Sequence, residues 1–142
     1  MPNLLDPSQI HRLATSPAIG PFLASMGLAV WLALSALGGF GDAHGFRLRE
    51  AWDTSAYFYL GLPLMALAVT GAAFLQPHRT WRWPLWLVGG HQAGVLLLGV
   101  GMQSGLSLVL LTAMLAVLLA AFFTVPAGVG YALNRYVIAR AY

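Results

Sequence analysis

The chain has 142 residues, of which 59% are hydrophobic and only 8% charged, and its formal net charge is +3. A soluble domain carries about 25% charged residues, so lipid rather than water is the expected solvent of the whole chain, residues 1–142 forming a single transmembrane domain. The chain has no cysteine, which excludes disulfides, thiolate nucleophiles, iron–sulfur ligation and cysteine-based zinc sites.

The seven basic residues are all arginine and are scattered over tails and loops with no stripe interleaved with aromatics, so a nucleic-acid partner is not expected. The preference for arginine over lysine fits a GC-rich genome. The hydrophobic pattern predicts an all-α protein: an integral membrane four-helix bundle of antiparallel up-down topology, preceded by a short interfacial N-terminal helix.

Residues 1–17 form a polar tail. Asp6-Pro7-Ser8-Gln9 reads as a helix start, with Asp6 as N-cap and Pro7 in the first helical position. Ile10, Leu13 and Ala14 would then rest on the membrane surface until Pro17 stops the helix. The first predicted span covers about 18–37, where Gly20, Ala24 and Gly27 share one face at helix-packing spacing. Trp31 lies too deep in this span for an interfacial tryptophan and is expected to wedge against a neighbouring helix.

The longest loop follows and holds Asp42, His44, Arg47, Arg49, Glu50 and Asp53. Carboxylates beside a histidine are candidates for divalent-ion binding or acid–base work. Their spacing matches no metal motif, and two arginines nearly neutralise them, so no metal is expected. In a short helix over 46–52, Arg47–Glu50 and Arg49–Asp53 would instead pair on one face. Asp53 or Thr54 is the expected N-cap of the second span, about 55–75. Tyr57, Phe58 and Tyr59 read as an interfacial aromatic group, and Pro63 as a kink. The connection 76–83 is tight, with Arg79 and Arg82 among Trp81, Trp83 and Trp86, the usual surroundings of a membrane–water boundary.

The third span, about 84–102, carries the one ionisable side chain expected at membrane depth, His91. Its 19 residues reach about 28 Å, close to the ~30 Å hydrocarbon core. On a helical projection Gly90, Gly94 and Gly101 form one edge, Gln92 and Gln103 lie nearly opposite, and His91 stands between. Trp86, Ala93, Leu96 and Leu97 fill the remaining arc, so more than half of this helix should touch protein. An embedded histidine suits a proton relay or a ligand, or else serves as neutral glue bonded to Thr70 or a backbone carbonyl. Bis-histidine haem ligation would need a second histidine at that depth, and His11, His44 and His78 all lie in tails or loops, so no cofactor is expected.

A short turn at 103–105 makes the fourth span, about 106–131, an antiparallel neighbour of the third. Ala113, Ala116, Ala120 and Thr124 form its expected packing stripe, and Pro126, Gly128 and Gly130 are expected to bend or interrupt it. Arg12, Arg79, Arg82, Arg135 and Arg140 fall on one side of the predicted bundle and Arg47 and Arg49 on the other. Both termini are therefore expected in the cytoplasm. With a bacterial inner membrane as the expected location, the acidic loop faces the periplasm.

No Asp, Glu, Arg or Lys lies inside any predicted span, and no hydrolase, metalloprotease, phosphate-binding or dinucleotide motif is present, so no catalytic residue is assigned. Three functions remain. The first is a non-enzymatic accessory or assembly subunit, with other membrane-protein subunits or a second copy as partners besides the lipid bilayer. The second is a small oligomeric transporter or channel for a neutral solute, built around His91, Gln92 and Gln103. The third is an interfacial membrane enzyme using Asp42, His44, Glu50 and Asp53.

Overall fold

A computed structural model describes residues 16–39, 51–100 and 106–141, with the side chains of 38–39, 98–100, 106–109 and 138–141 excepted. The N-terminal tail with its predicted surface helix, most of the 39–54 loop, and residues 101–105, with Gly101 and Gln103, lie outside the described residues. Among the described residues the secondary structure is entirely helical. The four long helices are α1 (Ile19–Gly39), α2 (Leu62–Leu75), α3 (Arg82–Val100) and α4 (Leu106–Ala141). Three stretches are long and apolar enough to cross a membrane, Ile19–Leu37, Tyr57–Leu75 and Leu110–Val137. α3, of which the 16 side chains from Arg82 to Leu97 are described, is not among them.

Several helix boundaries have a local cause. Ser16 Oγ accepts the Ala18 N–H at 3.3 Å ahead of α1. Thr54 caps the second span, its Oγ1 accepting the Tyr57 N–H at 3.3 Å while donating to the Ala51 carbonyl at 2.6 Å. Pro63 has no N–H to offer the carbonyl four residues earlier, and the turn just before it widens into a π-helical stretch, Tyr57–Gly61. There the Leu62 N–H reaches back five residues to the Tyr57 carbonyl. Between α2 and α3, the Pro77–Arg79 turn is pinned from several sides. Thr80 Oγ1 donates to Pro77 O at 2.6 Å and Gln76 Nε2 to Ser16 O at 2.9 Å.

α1 packs chiefly on α3, and α2 chiefly on α4. The α1–α3 contacts advance together along both helices, from Gly20 against Trp86 through Ala24 against Gly90 to Trp31 against Gly94. Two glycines allow this approach. A Cβ on Gly90 would coincide with the Ala24 carbonyl oxygen, and one on Gly27 would coincide with that of Leu87. The backbones are therefore in direct contact.

On α3, nine of the 16 residues from Arg82 to Leu97 are buried, while Trp86, Ala93, Leu96 and Leu97 face outward, as the projection requires. Trp31 is likewise buried against its neighbours rather than interfacial.

α4 departs from expectation in two ways. It runs unbroken through Pro126 to Ala141, 36 residues or about 54 Å. Pro126 leaves the Phe122 carbonyl without its helical donor, yet the helix holds through it; Thr70 Oγ1 on α2 bonds a different group there, the Pro126 carbonyl, at 3.1 Å. Its packing stripe is the expected row only in part. Ala116 and Ala120 are partly buried against the core, but Ala113 and Thr124 are exposed, and the fully buried line runs through Thr112, Leu119, Phe123, Ala127 and Gly130. Large side chains fill the core here, and the close approach comes only at Gly130, whose missing Cβ makes room for the Thr70 carbonyl.

Candidate functional site: the buried His91 cluster

The α1–α3 seam places His91 at the centre of an aromatic and polar cluster. Its side chain is 1% exposed. Tyr57, on the π-helical turn ahead of α2, puts its hydroxyl 2.9 Å from His91 Nε2. Either the phenol donates to Nε2 with the ring proton on Nδ1, or Nε2–H donates to the phenol oxygen. Above the imidazole lies Trp31, with ring centroids 4.8 Å apart at 68°. Trp52, from the 3₁₀ turn Ala51–Asp53, closes on Trp31 edge-on at 4.6 Å. Gly94 makes room for this stack, since its missing Cβ would meet Trp31 Cδ1 at 2.7 Å.

Tyr57 is where the sequence reading needs correction. It is buried in the bundle rather than interfacial, while Phe58 and Tyr59 are exposed. The signal was present in the spacing: Tyr57, Gly61, Met65 and Val69 recur every fourth residue and share the buried face. Thr70, proposed as a His91 partner, instead donates to the carbonyls of Ala66 and Pro126.

Several polar atoms in this region have no hydrogen-bond partner among the described residues: Trp31 Nε1, Ser35 Oγ, His91 Nδ1 and both amide atoms of Gln92. Ser35 follows Trp31 by one helical turn and is fully buried. This concentration of polar atoms on α1 and α3 explains why α3 must be enclosed by its neighbours. The cluster approaches the outside of the bundle at Tyr57. That residue forms part of the wall of an apolar cleft of about 300 Å³, between Phe58 and Leu62 on one side and Leu111, Met114 and Leu118 of α4 on the other.

The other candidate residues do not join this cluster. Gly90 and Gly94 are on the α1 face of α3, whereas Gly101 and Gln103 lie outside the described residues. Asp53 is exposed at the start of the second span, and Asp42, His44 and Glu50 lie outside the described residues. Among the described residues no group of three or more His, Asp or Glu is placed to hold a metal ion. The described geometry of the cluster supports a hydrogen bond between imidazole and phenol.

The chain was compared with protein-family models, with curated proteins and with solved structures, and nothing matches it.

Proposed function

We propose that this chain is a non-enzymatic accessory or assembly subunit of a larger membrane complex. In this reading it crosses a bacterial inner membrane four times in an up-down bundle, with both termini in the cytoplasm. The order of contacts supports the topology. α1 and α3 run in register, while Gln76 at the end of α2 meets Trp83 at the start of α3. The described arginines Arg79, Arg82 and Arg135 stand at the end assigned to the cytoplasm.

The observation that carries the subunit reading is a groove of about 690 Å³ on the outer side of the α1–α3 seam. Ala24, Ser25, Gly89, Gly90 and Ala93 line it, with Trp81 and Trp86 near one end. Gly89 is exposed, and a Cβ there would meet no atom within 4 Å. Small residues on an outward face let another helix approach closely in lipid, where van der Waals packing rather than hydrophobicity drives association. The burial of His91 and Gln92 within one chain favours this reading over a pore whose walls they would line between copies.

Blue-native electrophoresis from mild detergent tests it. The wild type is expected to migrate in an assembly well above 15.2 kDa. Gly89→Leu, whose Cβ would meet no atom of this chain within 4 Å, should obstruct the groove and release the protein to monomer mass with its helicity intact. A wild type that runs alone, or a variant that stays assembled, removes the proposal.

A further inference from the structure

The groove along the α1–α3 seam has a charge as well as a shape. Arg82 lines it at the end where α3 begins, and its Cζ lies 5.0 Å from the ring centroid of Trp81, another lining residue. From Arg82 to Ala93, both in the groove wall, α3 rises about 17 Å, enough for three turns of a helix laid alongside. Beyond the guanidinium the wall is apolar or small, with Leu28, Leu85, Gly89 and Ala93 in it and Ser25 as its hydroxyl.

Among the described residues nothing neutralises this cation. Asp53 is their single acidic side chain, and it stands at the far end of the Tyr57–Leu75 stretch, about 28 Å of helix away. Of the other acids in the sequence, Asp42 and Glu50 belong to the loop ahead of the second span and Asp6 to the N-terminal tail. α3 starts at Arg82 with no acid in its first turn, so the positive end of its dipole adds to the same field.

We infer, resting on the subunit reading above, that the helix received by this groove carries an aspartate or glutamate where it meets the start of α3, paired with Arg82. A carboxylate accepts two parallel N–H bonds from a guanidinium, and the charge pair fixes the depth of a helix that the small residues only let approach. Two copies of this chain joined groove to groove about an axis normal to the membrane would bring two Arg82 side chains to one interface at the same depth, so the partner is a different polypeptide. A lipid phosphate would match the charge, but the floor of Gly89, Gly90 and Ala93 suits the close approach of a helix backbone.

Arg82→Lys gives a specific test, because the sequence contains no lysine and its other amine is the N-terminus. Membranes holding the full-length variant are treated with a water-soluble carbodiimide, which joins an amine to an adjacent carboxylate as an amide with loss of water. The expected product is a covalent link to an aspartate or glutamate at the end of an apolar helix of another polypeptide, located by mass spectrometry. It should be lost when Gly89→Leu is added. In blue-native gels Arg82→Glu should lower the assembled fraction about tenfold, whereas Arg82→Lys should keep most of it. If the wild type assembles but the new amine gives no link, or links to Asp6 or to a lipid, the acidic partner is overturned and the subunit reading stands. A link that survives Gly89→Leu puts the carboxylate outside the groove and overturns it too, as does an Arg82→Glu variant that assembles like the wild type. A wild type that runs alone at monomer mass removes the subunit reading and the acidic partner with it.

Discussion

The two main helix pairs are joined by different means. α1 and α3 meet backbone against backbone at Gly27 and Gly90, with Trp31 laid over Gly94. α2 and α4 are tied mostly by side chains that reach across to carbonyls: Thr70 to Pro126 at 3.1 Å and Asn134 to Phe74 at 2.7 Å. Neither pair gains a hydrophobic driving force from lipid, since acyl chains are as apolar as leucine. The first pair therefore depends on shape along its length, and the second on shape at one point, Gly130 against the Thr70 carbonyl, and otherwise on individual hydrogen bonds. Shape fails abruptly when a single atom is added, whereas bonds are lost one at a time.

This contrast orders the expected effects. Gly90→Leu is the most damaging, because its Cβ has no place except the Ala24 carbonyl, and a loss of about 3 kcal/mol or more is expected in reversible unfolding from mixed micelles. Trp31→Ala should cost about 3 kcal/mol in the same assay by emptying the space between His91 and Trp52. Tyr57→Phe removes one bond to His91 and keeps the ring packing, so about 1 kcal/mol is expected. Across the other pair, Asn134→Ala should cost only about 0.6 kcal/mol, the typical value of a single interhelical bond in lipid. If Asn134→Ala proved as costly as Gly90→Leu, the distinction between the pairs would collapse.

How much of this was legible in the chain follows from the same contrast. The surroundings of α3 were readable because glycines, His91 and large apolar residues fall on separate arcs, and periodicity alone sorts them. Trp31 was readable from its depth. Tyr57 was missed because aromatic residues near the start of a span so often belong to the interface, a local rule that its spacing from Gly61 and Met65 overrides. In α4 the rule that small residues pack holds for Ala116 and Ala120 and fails for Ala113 and Thr124, because the larger Leu119 and Phe123 fill the core beside them. The continuity of α4 through Pro126 was not readable, because a proline inside a helical pattern is locally a stop signal and the packing of α4 on α2 is not local.

The central claim is that lipid surrounds the bundle while its one imidazole among the described helices that span it is enclosed by protein. Carbene footprinting with a diazirine dissolved in the acyl phase tests this most directly, since it marks side chains that lipid touches. Modification is predicted at Trp86, Leu96 and Leu97 on α3 and at Val117 and Phe122 on α4, with His91, Trp31 and Val95 protected. Labelling of His91 from the acyl phase, or no labelling of the outward residues, would contradict it.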